Sequence, residues 1–171
     1  MLLVRMLRAA RFDARLYEEL RRDRVAPAQA IAILAIALVA MVTGALLFVT
    51  LASQPIGILL LALIDPLALW LLPAMSLYLL GGLARVNNPE RGSDRDLIIT
   101  IGFSSSPGIL WLVPHPIFAF AVWAWVMAGM ILGARATLNI SLARSIMYII
   151  PGLLLYWLLF SILPTFFGSR T

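Results

Sequence analysis

The chain has 171 residues, of which 63% are apolar and 12% are charged. A soluble domain has about 45–50% apolar and about 25% charged residues, so this composition excludes an ordinary soluble protein. The formal net charge is +5, and the arginines flank apolar segments instead of forming a basic folded face, which argues against nucleic-acid binding. The chain has no cysteine and one histidine, which excludes thiol chemistry, disulfides and a histidine-based metal cluster.

An amphipathic helix is predicted for residues 2–24, within a cytoplasmic segment that covers residues 1–26. At 100° per residue, the arginines gather on one face and the apolar side chains on the opposite face. Such a helix favours the headgroup layer, with its basic face toward anionic lipid. Docking on the cytoplasmic loops of the protein itself is the alternative. The arginines expected at the membrane surface are Arg5, Arg8, Arg11, Arg15 and Arg22.

Five membrane spans are predicted between residues 27 and 168, which makes the chain an all-α, polytopic helix bundle. A helix needs about 20 apolar residues to cross a hydrocarbon core of about 30 Å. The first apolar run is longer than the core of a signal peptide, so it is expected to remain as an anchor. The predicted spans cover about residues 28–51, 66–84, 97–113, 117–134 and 145–167.

The distribution of arginines predicts the orientation of these spans. With a cytoplasmic N-terminus, the inner segments hold twelve arginines, and the outer segments hold only Arg170. This is the bias of the positive-inside rule, and it predicts an external C-terminus. Residues 97–134 stay ambiguous, because a re-entrant hairpin there would leave every charged loop on the same side.

Asp65 is the ionisable residue within an apolar stretch, and an acid inside a membrane is a functional candidate. Arg85 marks the inner end of the second span, and about 30 Å of helix separates it from Asp65. Asp65 followed by Pro66 therefore predicts a helix N-cap at the outer interface. A proton or cation relay and a purely structural contact are the alternatives.

Ser104 and His115 are the residues that an intramembrane serine protease would use. They are separated by about 16 Å along a continuous helix, whereas a general base has to come within about 3 Å of its nucleophile. Hydrogen bonds from the serines to backbone carbonyls explain this segment without catalysis. We therefore expect no enzymatic activity, no cofactor and no metal site.

Small residues at helical spacing predict close helix contacts in the first and fourth spans. Contacts within this protein and contacts with a second protein both fit the pattern. The residues expected at these contacts are Ala40, Gly44, Gly129 and Gly133.

Several stretches, taken in order, are similar to one family of membrane proteins. They are residues 11–19 (RFDARLYEE), Trp70 with Tyr78 and Gly81, residues 102–108 (GFSSSPG), and Arg135 with residues 141–145 (SLARS). This order resembles the bacterial branch of the Yip family, five-span proteins named for eukaryotic members that interact with Rab-type GTPases. The motif positions that match are Gly102, Phe103 and Pro107.

The resemblance implies five helices with a cytoplasmic N-terminus in the bacterial cytoplasmic (inner) membrane, and no catalytic activity. GTPase binding is not expected, because the long acidic and aromatic cytoplasmic region of the eukaryotic relatives is missing here. The expected function is that of a membrane scaffold or adaptor, with anionic lipids and other membrane proteins as partners. The alternatives are an accessory or assembly subunit of a respiratory or photosynthetic complex, and a small ion-coupled transporter that uses Asp65.

Overall fold

A computed structural model describes residues 2–51, 56–86 and 92–167, and within these ranges it is all-helical with no strand. The predicted all-α class is confirmed. The elements, in chain order, are α1 (Leu2–Ala10), α2 (Ala14–Arg22), α3 (Ala26–Leu51), α4 (Ile56–Val86), α5 (Asp94–Ser104), a 3₁₀ helix (Ser106–Leu112), α6 (Pro116–Leu138) and α7 (Leu142–Phe167).

Four stretches of the described helices are long and apolar enough to cross a membrane, which supports a multi-pass membrane protein. They are Ala26–Leu51, Leu63–Ala84, Pro116–Leu138 and Leu142–Ile162. The predicted spans at 28–51, 117–134 and 145–167 each lie within one helix. The helix α4 begins at Ile56, ten residues before the predicted start of the second span.

The predicted span at 97–113 is not one continuous helix. The helix α5 has 11 residues and ends at Ser104, and the chain then continues as a 3₁₀ helix of seven residues. Pro107 explains the change, because proline has no backbone N–H and its ring clashes with the preceding turn of an α-helix. The Ser106 hydroxyl donates a hydrogen bond to the Phe103 carbonyl oxygen over 2.6 Å, so the carbonyl that loses its helical donor is satisfied.

This broken segment, α5 with the 3₁₀ helix, lies between α3 and α6 and runs parallel to α3. A Cβ atom added at Gly102 would lie 2.5 Å from the Cβ atom of Ala30, so the two backbones touch where only glycine fits. The same close approach recurs along the segment, and the pairs in order are Gly102 with Ala30, Gly108 with Ala37, and Trp111 with Gly44.

The predicted amphipathic helix over residues 2–24 is two helices, which is a correction to the sequence analysis. The helix α1 ends in a Schellman motif, in which the Phe12 N–H bonds to the Ala9 carbonyl and the Asp13 N–H to the Arg8 carbonyl. Phe12 takes the left-handed conformation with φ of 59°, a position that glycine usually occupies. The Asp13 side chain then caps α2 by accepting from the Arg15 N–H. The two helices form an N-terminal hairpin.

The helices α4 and α7 form an antiparallel pair at the side of the bundle. Their backbones meet where Gly152 lies against Leu72 and Pro73, and the Ser76 hydroxyl donates to the Tyr148 carbonyl over 2.6 Å. Pro73 cannot donate to the Leu69 carbonyl. The indole N–H of Trp123 on α6 donates to that carbonyl over 3.1 Å instead, which ties α4 to α6.

Alanine substitutions at two glycines separate the effect of the contact between α4 and α7 from the effect of helix propensity. Gly152→Ala should destabilise the protein by about 1–3 kcal/mol, because the new methyl group overlaps the backbone of α4. Gly82 has no atom within 4 Å of its added Cβ, so Gly82→Ala should be neutral or should stabilise the helix by up to about 1 kcal/mol. Thermal unfolding of both variants in detergent measures the difference. Equal midpoints would show that α4 and α7 do not pack as described.

Candidate functional site

Charged segments that are far apart in the sequence meet at one end of the bundle, which we call the basic end. The N-terminal hairpin contacts the start of α5 there, since the Arg21 guanidinium lies 3.5 Å from the Asp96 carboxylate and Arg95 donates to the Asp23 carbonyl. Gly92 lies against the carbonyl of Thr137 near the end of α6. The basic end therefore joins the N-terminal hairpin, the start of α5 and the end of α6.

The hairpin is docked on the bundle by the apolar face of α2. Leu16, Tyr17 and Leu20 are almost completely buried, and they share a core cluster with Ile99 and Phe103 of α5. The apolar face of α2 therefore contacts the protein itself. The docking alternative is met in part, because the partner of this face is the helix α5 and not a cytoplasmic loop.

Two of the five arginines that were predicted to contact the membrane surface are paired with acidic side chains of the protein itself. Arg8 forms two hydrogen bonds with the carboxylate of Glu19 over 2.7 and 2.9 Å, and one with Asp13 over 2.8 Å. Arg5 pairs with Asp23 over 2.6 Å and donates to Gln29 over 2.6 Å. These pairs clamp α1 to α2 and to α3. The predicted arginines whose side chains are exposed are Arg11, Arg15 and Arg22.

The clamps shift the pKa values of their acidic partners. The hydrogen bond from Arg8 holds the pKa of Asp13 and that of Glu19 below their ordinary values. The pKa of Asp23 is also lowered, first by the backbone N–H of Val25 and then by Arg5. All three carboxylates are therefore stabilised in the ionised form by the folded hairpin.

Beneath the hairpin, buried hydroxyl groups form hydrogen bonds between helices. The Tyr17 hydroxyl lies 3.1 Å from the Ser104 hydroxyl, and burial raises the pKa of Tyr17 to about 12. Thr100 and Thr137 share a second bond of 2.8 Å between α5 and α6. Every buried side-chain nitrogen and oxygen atom in the described part of the chain has a partner.

The structure does not bring Ser104 and His115 together. Ser104 lies under the N-terminal hairpin, whereas His115 lies at the opposite end of the bundle, beside Gly44 and Asp65. A nucleophile and base pair is therefore not formed by these two residues. Among the described residues there is also no group of three acidic or histidine side chains placed to hold a metal ion.

The small and motif residues named above lie at helix contacts within the chain. Gly129 lies against Ser104, and Gly133 lies against Thr100 and Tyr17, so α6 approaches both α5 and the hairpin. On α3, Ala40 is buried and Gly44 faces the Trp111 backbone. Of the family motif, Gly102 touches α3, Phe103 is fully buried, and Pro107 is the second residue of the 3₁₀ helix.

The prediction that Asp65 caps a helix is wrong. Asp65 is the tenth residue of α4, and Pro66 lies inside the helix as well. One oxygen of the Asp65 carboxylate accepts a hydrogen bond of 2.5 Å from the hydroxyl of Tyr156 on α7. Asp65 also lines a pocket of about 320 Å³ at the end of the bundle opposite to the basic end.

A second exposed feature of the basic end is apolar. Leu3, Val4 and Leu7 form a stripe along α1, the α1 stripe, and are 60–71% exposed. Met6 and Ala9 on another face of the helix are buried against the bundle. The indole N–H of Trp125 on α6 donates to the Ala10 carbonyl over 2.8 Å, which fixes the end of α1 beside the exposed side of α6.

Sequence reasoning did not identify the partners of these groups. The bond between Tyr17 and Ser104 spans 87 positions, and no local pattern encodes it. The same is true of Tyr156 and Asp65, which are 91 positions apart. The sequence signal that comes nearest to these contacts is a single polar residue in an apolar stretch, which indicates that a partner is needed but not which residue it is.

No family model, curated protein or solved structure matches the chain. Membership of the Yip family therefore stays a prediction from the sequence motifs.

Acid should loosen the N-terminal hairpin. Because the folded pKa values of Asp13, Glu19 and Asp23 are lowered, their contribution to stability is complete above the ordinary values of 3.8 for Asp and 4.5 for Glu. It is lost as the pH falls through the lower folded values. A fluorophore on Arg11→Cys, in a chain with no other cysteine, should lose anisotropy as the pH falls below about 4.5.

Arg8→Gln is the matched control, since it removes the guanidinium that both Asp13 and Glu19 accept from. The anisotropy of the labelled variant should already be lower than that of the wild type at pH 7 and should depend less on acid, since only Asp23 keeps its arginine partner. A wild-type anisotropy that stays constant down to pH 3 would contradict the role assigned to these ion pairs.

Proposed function

We propose that the chain is a non-enzymatic integral membrane adaptor that presents its basic end at a membrane surface. The observation that carries this proposal is the docked N-terminal hairpin. Its ion pairs hold α1 against α2, and the apolar face of α2 packs on the bundle. The α1 stripe and several guanidinium groups, among them those of Arg11, Arg15 and Arg22, stay exposed. Such a surface suits contact with membranes or with membrane-bound partners rather than chemistry.

The α1 stripe contacts the boundary between headgroups and acyl chains in this proposal. An amphipathic helix binds there by burying its apolar side chains about 5–10 Å into the bilayer. The exposed groups of Arg11, Arg15 and Arg22 are then available to anionic headgroups and to acidic partner surfaces.

The proposed topology has five crossings, with the basic end in the cytoplasm of a bacterium. Support comes from the broken segment, which follows α3 from the level of Ala30 to that of Gly44. Fourteen residues of α-helix cover about 21 Å, which is most of the hydrocarbon core. His115 then lies at the outer end, and α6 returns to the basic end.

Single cysteines test this topology. In intact cells, a membrane-impermeant maleimide should label His115→Cys, and it should label Arg11→Cys only after the membrane is permeabilised. Labelling of both positions from the same side would contradict a crossing by the broken segment. Because the native chain has no cysteine, each signal belongs to the introduced residue.

The adaptor role predicts a stoichiometric protein partner after isolation in a gentle detergent, identified by mass spectrometry. Combined replacement of Arg11, Arg15 and Arg22 by Gln should lower the recovery of that partner at least about threefold, because exposed charges steer and orient association. Arg144→Gln is the control, since it removes an exposed cation without touching the hairpin.

Recovery of the chain only as a monomer or homodimer would contradict the adaptor proposal. If the triple variant and Arg144→Gln recover the partner equally well, the chain has a protein partner, but the exposed arginines of the hairpin do not take part in recognising it.

A further inference from the structure

The pocket beside Asp65 has the size of a small-molecule site. Its volume is about 320 Å³, whereas a water molecule occupies about 30 Å³ in the liquid. Small-molecule sites have volumes of about 300–1,000 Å³ and are mostly apolar with a few polar groups. This pocket is formed between α3, α4 and α6 and the turn that precedes α6. It does not involve the basic end on which the adaptor proposal rests.

The acidic group on the pocket wall is the Asp65 carboxylate. It accepts one hydrogen bond, from Tyr156, and an ionised carboxylate has room for about four. No guanidinium among the described side chains lies within ion-pair distance of it. A half-buried carboxylate with this environment attracts a cation, because a buried charge is costly unless it is paired.

The hydrogen-bond donors of the aromatic wall are already used. The indole N–H of Trp111 donates to the Ala119 carbonyl over 3.3 Å, and that of Trp123 donates to the Leu69 carbonyl over 3.1 Å. The wall therefore offers apolar and aromatic surface instead of donors for an anion. Phe120 and Trp123 stand with their ring centroids 5.4 Å apart, and aromatic faces attract cations.

We propose that this pocket binds an amphiphilic ammonium, that is, a protonated amine carried on a short apolar chain or ring. The ammonium group donates to Asp65, and the apolar part packs against the aromatic wall. His115 also lines the pocket, and its side chain is exposed. A neutral alcohol of the same shape lacks the charge, and an alkyl carboxylate is repelled by Asp65.

The experiment uses the full chain in maltoside micelles, which contain no amine, and hexylamine as the probe. Calorimetry should show saturable binding with one site per chain, and hexanol should bind at least about tenfold more weakly. Asp65→Asn should weaken hexylamine binding at least about tenfold, since a hydrogen bond between charged groups is lost. This variant keeps an acceptor for the Tyr156 hydroxyl, and its thermal midpoint reports whether it folds.

Two further variants separate the charge from the shape of the pocket. Tyr156→Phe removes the phenol and keeps the carboxylate, so it should bind hexylamine within about threefold of the wild type. Ala45→Trp places a large ring in the pocket and keeps Asp65, so it should abolish binding. The proposal is overturned if the wild type does not bind, if Asp65→Asn or Ala45→Trp binds as well as the wild type, or if hexanol binds as tightly as hexylamine.

Added lipid identifies the source of the ammonium group. Displacement of hexylamine by phosphatidylethanolamine, and not by phosphatidylglycerol, supports a lipid headgroup as the occupant. Binding of hexylamine that neither lipid alters supports a free amine. Equal displacement by both lipids would show that the pocket recognises acyl chains, which overturns recognition of the ammonium group.

Discussion

Pro107 has no backbone N–H to donate to the Phe103 carbonyl, and the helix that begins at Asp94 ends at Ser104, three residues before it. The chain tightens into a 3₁₀ helix, which rises about 2.0 Å per residue where an α-helix rises about 1.5 Å. Seven residues thereby cover the length of nine or ten α-helical residues. The short α5 and the 3₁₀ helix together reach from the level of Ala30 to that of Gly44, and the positions of α3, α6 and the N-terminal hairpin depend on this segment.

A second proline, Pro73, connects a backbone hydrogen bond of α4 with the wall of the pocket. Pro73 leaves the Leu69 carbonyl without its helical donor, and an unsatisfied carbonyl in a membrane costs several kcal/mol. Trp123 supplies the missing donor from α6. This hydrogen bond also holds the indole ring of Trp123 on the pocket wall. The contact that supplies the missing donor to α4 therefore also forms part of the surface around Asp65.

The long helices could be predicted from the sequence, because runs of apolar residues on the scale of the bilayer are a local property. The break of the N-terminal helix could not, since Phe12 occupies a left-handed position that glycine normally marks. Arg8 was assigned to lipid for a similar reason: its partner Glu19 is 11 positions away, across a turn that the periodicity did not show. The Asp-Pro pair indicated an N-cap at Asp65 because local rules cannot detect that α4 extends nine residues further back.

Asp65 differs from the carboxylates at the basic end that pair with arginine. Asp96 is almost buried, but it accepts from the Ser93 backbone N–H and lies beside Arg21. Asp13, Glu19 and Asp23 each have an arginine partner as well. Asp65 has the Tyr156 hydroxyl and no described arginine. An apolar residue at position 65 would avoid this desolvation cost, so an external cation accounts for the carboxylate better than stability does.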